Sequence, residues 1–337
     1  MGLYLDSGYI NIRHCLRSGC PFVIIVGGRG TGKTYGALQA AIEDQTPFIL
    51  LRRTQAQADL IGKTEFSPIQ PVVNDMGRTQ SCKPLSKYTS AIYLDPDSEQ
   101  PQLIGWTAAL STFSNLRGFD ASSVQLIIYD EFIPESHERP IKNEGDAFLN
   151  CYETINRNRE LQGRPPVQAL LLSNANRMDS PILEALGLIS VLERMNKTGQ
   201  ETYINREAGV ALYVIRRSPI SSRKTDTALY RATKSDRFER MSLGNEFAYD
   251  DLADIKPQPL QGWRLLLRLG AVYIYEQGGR WYVSHHCAGK PGREYEDTEI
   301  DLQRFIRDYP YTWQRIIRHG VLYEDYAAKA ALTKLFV

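Results

Sequence analysis

The chain has 337 residues, 42% of them hydrophobic, 23% charged and 10% aromatic, a composition that fills an ordinary core and excludes global disorder. Forty basic against 39 acidic residues leave a net charge of +1, which excludes a wholly basic, histone-like binder but not a local stripe that holds phosphates. The sequence shows no long apolar run, no basic-then-apolar pattern in the opening MGLYLDSGYINIRH and no C-x-x-C pair among Cys15, Cys20, Cys82, Cys151 and Cys287. It therefore predicts no membrane span, signal peptide, zinc ribbon or disulfide framework.

In chain order, residues 21–26 form a β-branched run that ends at glycines and predict a buried strand. Residues 33–42 carry alanine and leucine at helical spacing, and residues 48–51 give a second strand. Thr54 is placed to cap a helix through Ala56, Ala58 and Leu60. Residues 126–129 and 167–172 add two more buried-type strands, and strands alternating with helices predict an α/β fold with a parallel sheet covered on both faces. The texture changes after about residue 200. Between Arg216 and Arg240 stand eight lysines and arginines against three acids, and Arg223 and Lys224 there are expected to meet DNA phosphates without reading sequence. Further on, residues 271–275 and 281–284 flank Gly278-Gly279 as a hairpin. Helical patterns through Leu302, Phe305 and Ile306, then Trp313, Ile316 and Ile317, close the chain.

Gly27-Gly28-Arg29-Gly30-Thr31-Gly32-Lys33-Thr34 fits G-x-x-x-x-G-K-[ST], and it stands between a predicted strand and a predicted helix, as the motif requires. Glycines let successive N–H groups turn inward around an anion, and the helix N-terminus adds its positive end. Lys33 would reach the β- and γ-phosphates of ATP, and the Thr34 hydroxyl would ligate Mg²⁺. Asp130 and Glu131 end the strand at 126–129; the first would hold the Mg²⁺ shell and the second polarise an attacking water, which favours hydrolysis over phosphate transfer. Asn174, at the end of the strand at 167–172, is placed either to sense the γ-phosphate or to cap the next segment. Asn176-Arg-Met-Asp179 approaches the guanine-specificity pattern Asn-Lys-x-Asp, but it has Arg for Lys and no Asp-x-x-Gly accompanies it.

Phe148, Tyr152 and Ile155 define one helix face, and at about 100° per residue Arg157 points away from it while Arg159 lies nearer to it. Both are readable as solvated helix-end cations or as an arginine that crosses to another subunit's γ-phosphate. Arg117, in a loop closed by Gly118, is exposed to nucleotide, DNA or a neighbouring subunit.

Together, residues 27–34, 48–53, Leu116-Arg117-Gly118, 126–132, Asn156-Arg-Asn-Arg-Glu160, Leu172-Ser-Asn-Ala175 and Met241-Ser-Leu-Gly-Asn-Glu-Phe247 resemble the phi29-type bacteriophage DNA-packaging motor ATPases, small relatives of the terminase large subunit. The likeness is orderly from about residue 15 to 250 and weak beyond. It implies a P-loop ATPase of the additional-strand (ASCE) type over residues 1–205, a basic linker over 206–240 and, over 241–337, an α+β domain resembling an RNase H-like nuclease that has lost cleavage. It implies a homopentameric ring in the host cytoplasm, docked at the portal vertex of a preformed prohead and driving double-stranded DNA inward with ATP and Mg²⁺. In the phi29 type a packaging RNA links motor to portal; no membrane partner is implied. Lys33 and Thr34 match the phosphate-loop pair, Asp130 and Glu131 the metal and catalytic acids, Arg157 the trans-acting finger and Arg117 a second basic position between subunits. Helicases and other ring ATPases of the same class, or a nucleotide-gated assembly protein, share the phosphate chemistry.

Overall fold

The computed structural model describes residues 2–116, 118–135, 138, 141–174, 177–178, 180–216, 218–224, 227–232 and 252–336. Arg117, Asn176, Asp179, residues 241–247 and much of the basic segment therefore lie outside the described residues. Contacts divide the chain into two units: Met1–Leu186 with Met195–Tyr249, and Gly187–Arg194 with Asp250–Val337.

The first unit is built on a nine-stranded sheet. Its strands are β1 (Phe22–Gly27), β2 (Phe48–Arg52), β3 (Gln80–Pro84), β4 (Ser90–Leu94), β5 (Gln102–Ala109), β6 (Leu126–Asp130), β7 (Gln168–Ser173), β8 (Thr202–Asn205) and β9 (Val210–Ile215), in the order β3-β4-β5-β2-β6-β7-β1-β9-β8. From β5 to β9 along that order every pair is parallel, while β3-β4-β5 and β8-β9 are antiparallel. The central strands are continuous apolar runs because helices cover both faces: every residue of β6 and β9 is buried. The edge strand β3 is half polar and ends in Lys83 and Pro84, residues that discourage pairing by another chain.

The helices of this unit are α1 (Ile12–Leu16), α2 (Lys33–Glu43), α3 (Gln55–Ile61), α4 (Ile69–Asp75), α5 (Glu144–Asn156), α6 (Pro181–Ala185), α7 (Ile189–Thr198), α8 (Pro219–Lys224) and α9 (Ala228–Ala232), with the start of α7 grouped in the second unit. Thr54 caps α3 as expected: its Oγ1 accepts from Gln57 N at 3.4 Å while Gln57 Oε1 accepts from Thr54 N at 3.1 Å, a reciprocal box. The core packs Val23, Ile25, Leu38, Leu50, Ile128, Leu170 and Leu212 under these helices.

The second unit carries a mixed five-stranded sheet of β10 (Arg264–Leu269), β11 (Val272–Gln277), β12 (Arg280–Ser284), β13 (Glu294–Tyr295) and β14 (Val321–Tyr323), ordered β13-β10-β11-β12-β14. Its helices are α10 (Glu299–Asp308), α11 (Thr312–Ile317) and α12 (Tyr326–Thr333). The expected hairpin is present: Gln277 pairs with Arg280, and Gly278 and Gly279 have φ of 57° and 80°, the two positive values that a tight two-residue turn demands. Leu267, Ile274, Trp281, Val283, Phe305 and Val321 form its core. His285 and His286 lie 3.3 Å from Asp325 and 3.2 Å from Glu324, respectively. No described helix is long and apolar enough to cross a membrane.

The boundary expected at residue 205 falls inside the β8–β9 hairpin. β9, which a linker reading of 206–240 assigned to no sheet, is a fully buried strand paired in parallel with β1 over Phe22–Gly27. Six apolar residues in a row, Val210 to Ile215, need cover on both faces, and only the sheet interior supplies it.

Candidate functional site

The parallel strands end at one edge, and their ends bring the site together. β7 lies between β1 and β6, so the phosphate-loop sequence and the two acids are held two strand positions apart with Asn174 following the strand between them. Gly27 ends β1 against Ile215 of β9; a Cβ there would stand 2.5 Å from the Ile215 Cβ, so only glycine fits. Gly30 and Gly32 have φ of 65° and 87° and curl the loop into the start of α2.

Lys33 is buried, with its Nζ donating to Gly27 O at 2.9 Å, Gly28 O at 2.7 Å, Thr31 Oγ1 at 3.4 Å and Asn174 Oδ1 at 3.4 Å. All four acceptors are neutral. Burial pushes the Lys33 amine down to about 7, against the opposing pull of Asp130. Thr34 Oγ1 donates to Asp130 Oδ1 at 3.0 Å, and burial raises the Asp130 carboxyl. A buried ammonium bonded only to neutral oxygens, beside a hydroxyl and a carboxylate in contact, is a donor set that fits a nucleotide polyphosphate and its divalent cation. Lys33 and the first N–H groups of α2 would hold the phosphates; Thr34 and Asp130 would hold the metal.

Glu131 adopts φ of 58°, a left-handed conformation that costs a non-glycine residue about 1 kcal/mol. The turn is fixed by Glu131 N and Phe132 N, which donate to Leu172 O at 2.8 and 3.3 Å. It swings the carboxylate out of the strand line, half exposed, to Arg52, whose Nη1 stands 2.6 Å from Glu131 Oε2 and 3.4 Å from Asp130 Oδ2. Arg52 Nε is buried without a hydrogen-bond partner among the described residues. Arg29 pairs with Glu135 at the rim.

Arg52, Arg53 and Glu144 received no site role from the sequence. Arg53, 1% exposed, grips Glu144 through Nε at 2.7 Å and Nη2 at 3.0 Å, and reaches Glu138 at 3.1 Å. This pairing ties the end of β2 to the start of α5. Arg53→Ala leaves Glu144, 2% exposed, as a buried carboxylate without its main partner. We expect a loss of about 3 kcal/mol of stability, read by urea unfolding, with a smaller loss for the double variant Arg53→Met/Glu144→Leu. The only sequence signal for these residues is the pair of arginines at the end of a buried strand.

Lys224, expected on a DNA-facing stretch, instead turns its amine to the phosphate loop and donates to Arg29 O, whereas Arg223 is exposed. The helix-face arithmetic for Arg157 also needs correction. α5 stops at Asn156, and Arg157 and Asn158 follow in the left-handed region with φ of 45° and 55°. Arg157 is exposed as expected, with Nη2 donating to Phe119 O at 2.6 Å and Nε to Thr154 O at 3.2 Å. Arg159 folds back as expected, buried, with Nη2 donating to Ala121 O and Ser122 O at 3.0 Å each.

The family model described as podovirus DNA encapsidation protein (Gp16) matches residues 6–258. The DNA packaging proteins of Bacillus phages PZA and phi29 are each 26% identical over 231 residues, covering 67% of this chain and 62% of theirs. The chain thus spans less than two thirds of the length of these relatives. Among solved structures, the phi28 gp11 DNA packaging motor superposes with a TM-score of 0.64 at 17% identity, over 98% of this chain and 97% of that one. The bacteriophage phi29 viral genome packaging motor assembly gives 0.67 at 16% identity, over 99% of each chain. These likenesses show the fold.

Proposed function

Because the chain belongs to the podovirus DNA encapsidation protein (Gp16) family, we propose that it hydrolyses ATP to drive double-stranded viral DNA into a preformed prohead, acting as a homomeric ring, pentameric as in the phi29 type, at the portal vertex in the host cytoplasm. The observation that carries the reading is the convergence of Lys33, the Thr34–Asp130 contact and the outward-turned Glu131 at one sheet edge. β7 between β1 and β6 supports the additional-strand ATPase class.

Lys33 binds the β- and γ-phosphates while the loop amides of residues 27–32 hold the chain of phosphates. Thr34 and Asp130 hold Mg²⁺, which when bound neutralises developing phosphate charge. Glu131 orients the attacking water and takes its proton, and Arg52 fixes that carboxylate. Asn174, bonded to Lys33, stands where it detects loss of the terminal phosphate.

The charge that stabilises the transition state comes, in this reading, from a neighbour's Arg157. α5 begins at the loop edge, where Glu144 pairs with Arg53 just after β2, and ends at the opposite edge, where Asn156 Oδ1 accepts from Val167 N at 2.9 Å just before β7. Its 13 residues span about 20 Å at 1.5 Å per residue. Arg157 therefore stands farther from its own phosphate loop than an arginine side chain reaches. We read Arg117 as a second basic contact between subunits, and the α+β second unit as the nuclease-like domain without cleavage.

Turnover of ATP measured with purified proheads and DNA together should exceed that with either alone. Equal turnover in all three mixtures would reject the packaging reading, and strand displacement on a forked duplex would favour a helicase.

A further inference from the structure

The proposed nucleotide site gains a member from the chain after β9. We propose that Lys224 is a second lysine of the phosphate site, contacting the terminal phosphate of a bound nucleoside triphosphate from the side of the loop opposite α2; this rests on the nucleotide-site reading above.

α8 and the phosphate loop share one base, the N-terminal turn at Gly8 and Tyr9. Ser218 Oγ donates to Gly8 O at 3.0 Å, and a Cβ on Gly8 would stand 3.0 Å from Ile220 N and from Pro219 Cβ. On its other side the same turn rests on the loop: Ile10 N donates to Thr31 O at 3.1 Å, and a Cβ on Gly32 would stand 2.9 Å from the Tyr9 ring. Held this way, the end of α8 places Lys224 Nζ against Arg29 O, and a Cβ on Gly30 would lie 2.7 Å from that amine. The contact falls at mid-loop, where the backbone turns through the left-handed Gly30.

The charge balance around the loop separates the described cations there. Arg29 is paired with Glu135, and Arg52 with Glu131 and Asp130. Among the described residues, Lys33 and Lys224 instead donate to neutral oxygens. Two ammoniums thus bond the backbone of one short loop, Lys33 at Gly27 and Gly28 and Lys224 at Arg29. A phosphate between them pairs with both. Its place follows from the loop: the α-phosphate end lies at the α2 N-terminus, and the tail runs toward Asp130 and Glu131, past Arg29 and Gly30. Lys224 then leaves the Arg29 carbonyl when a terminal phosphate is present and returns when it is gone. That exchange couples nucleotide state to α8, from which the chain continues toward the second unit.

The test compares the full-length protein with Lys224→Gln, Lys224→Arg and Arg223→Gln, binding fluorescent ADP and a fluorescent non-hydrolysable ATP analogue with Mg²⁺. Lys224→Gln should weaken the triphosphate about 10-fold, the size of one charge-assisted hydrogen bond, and the diphosphate less than about 2-fold. Lys224→Arg should restore most of the difference, and Arg223→Gln should change neither. Equal losses for both nucleotides, or no loss for either, would overturn the proposal while leaving the nucleotide site standing. Failure of the unaltered protein to bind either nucleotide would overturn the site reading itself.

Discussion

Glu131→Gln should bind ATP with Mg²⁺ about as tightly as the unaltered protein and hydrolyse it about 10²–10⁴-fold more slowly, the range for losing a positioned general base. The proposed roles of the two adjacent acids are separable because the backbone separates them. Asp130 is the last residue of β6, buried and in contact with Thr34 at 3.0 Å, which suits the proposed metal role. Glu131 is turned out by its positive φ, 56% exposed, and touches Arg52 rather than the loop. Gln keeps the shape and one acceptor for Arg52 but cannot take a proton. Asp130→Asn, by contrast, should weaken Mg²⁺-dependent binding itself. Single-turnover hydrolysis beside equilibrium binding separates the two, and near-normal turnover in Glu131→Gln would remove it from the catalytic role.

The elements that build this edge were legible because their chemistry restricts the sequence. A phosphate loop needs glycines between a buried strand and a helix, and residues 22–43 show all three parts. β6 and β7 read as buried runs ending in polar residues. The antiparallel margin of β3, β4 and β5 was not legible. Its strands are short or partly polar, and Gly105 in β5 is required only because a Cβ would strike Phe48 O of the neighbouring strand, a tertiary fact. The Arg53–Glu144 pair joins residues 91 apart, a separation over which local pattern carries no information. The placement of Lys224 was hidden for the same reason: it counts as one positive charge among eight in the sequence, but its tether through Ser218 to Gly8 aims it at the phosphate loop. The end of α5 at Asn156 also escaped, since nothing in Asn-Arg-Asn-Arg marks two successive left-handed residues, a conformation normally left to glycine.

Arg157→Ala should leave ATP binding nearly intact and lower hydrolysis about 10³–10⁵-fold, the worth of an arginine finger in other enzymes. The Arg157 backbone supports a demand beyond helix termination. It occupies a left-handed C-cap where glycine would cost less, and its guanidinium donates to two carbonyls, Phe119 O and Thr154 O. Position agrees with the proposed role: α5 carries Arg157 to the edge of the sheet away from its own Lys33, where it is open to a partner other than its own phosphate loop. Mixing Glu131→Gln with Arg157→Ala tests this directly. The first protein has the arginine and lacks the acid; the second has the acid and lacks the arginine. In a mixed ring, an interface where the Arg157→Ala subunit holds ATP and the Glu131→Gln subunit supplies Arg157 has every group it needs. Part of the activity should return in mixtures shown by native mass measurement to exchange subunits. If exchange occurs and activity does not return, Arg157 acts within its own subunit or only structurally. Arg159 is then a poor substitute, because its guanidinium is buried and spent on Ala121 and Ser122, and the same mixing should pass to Arg117.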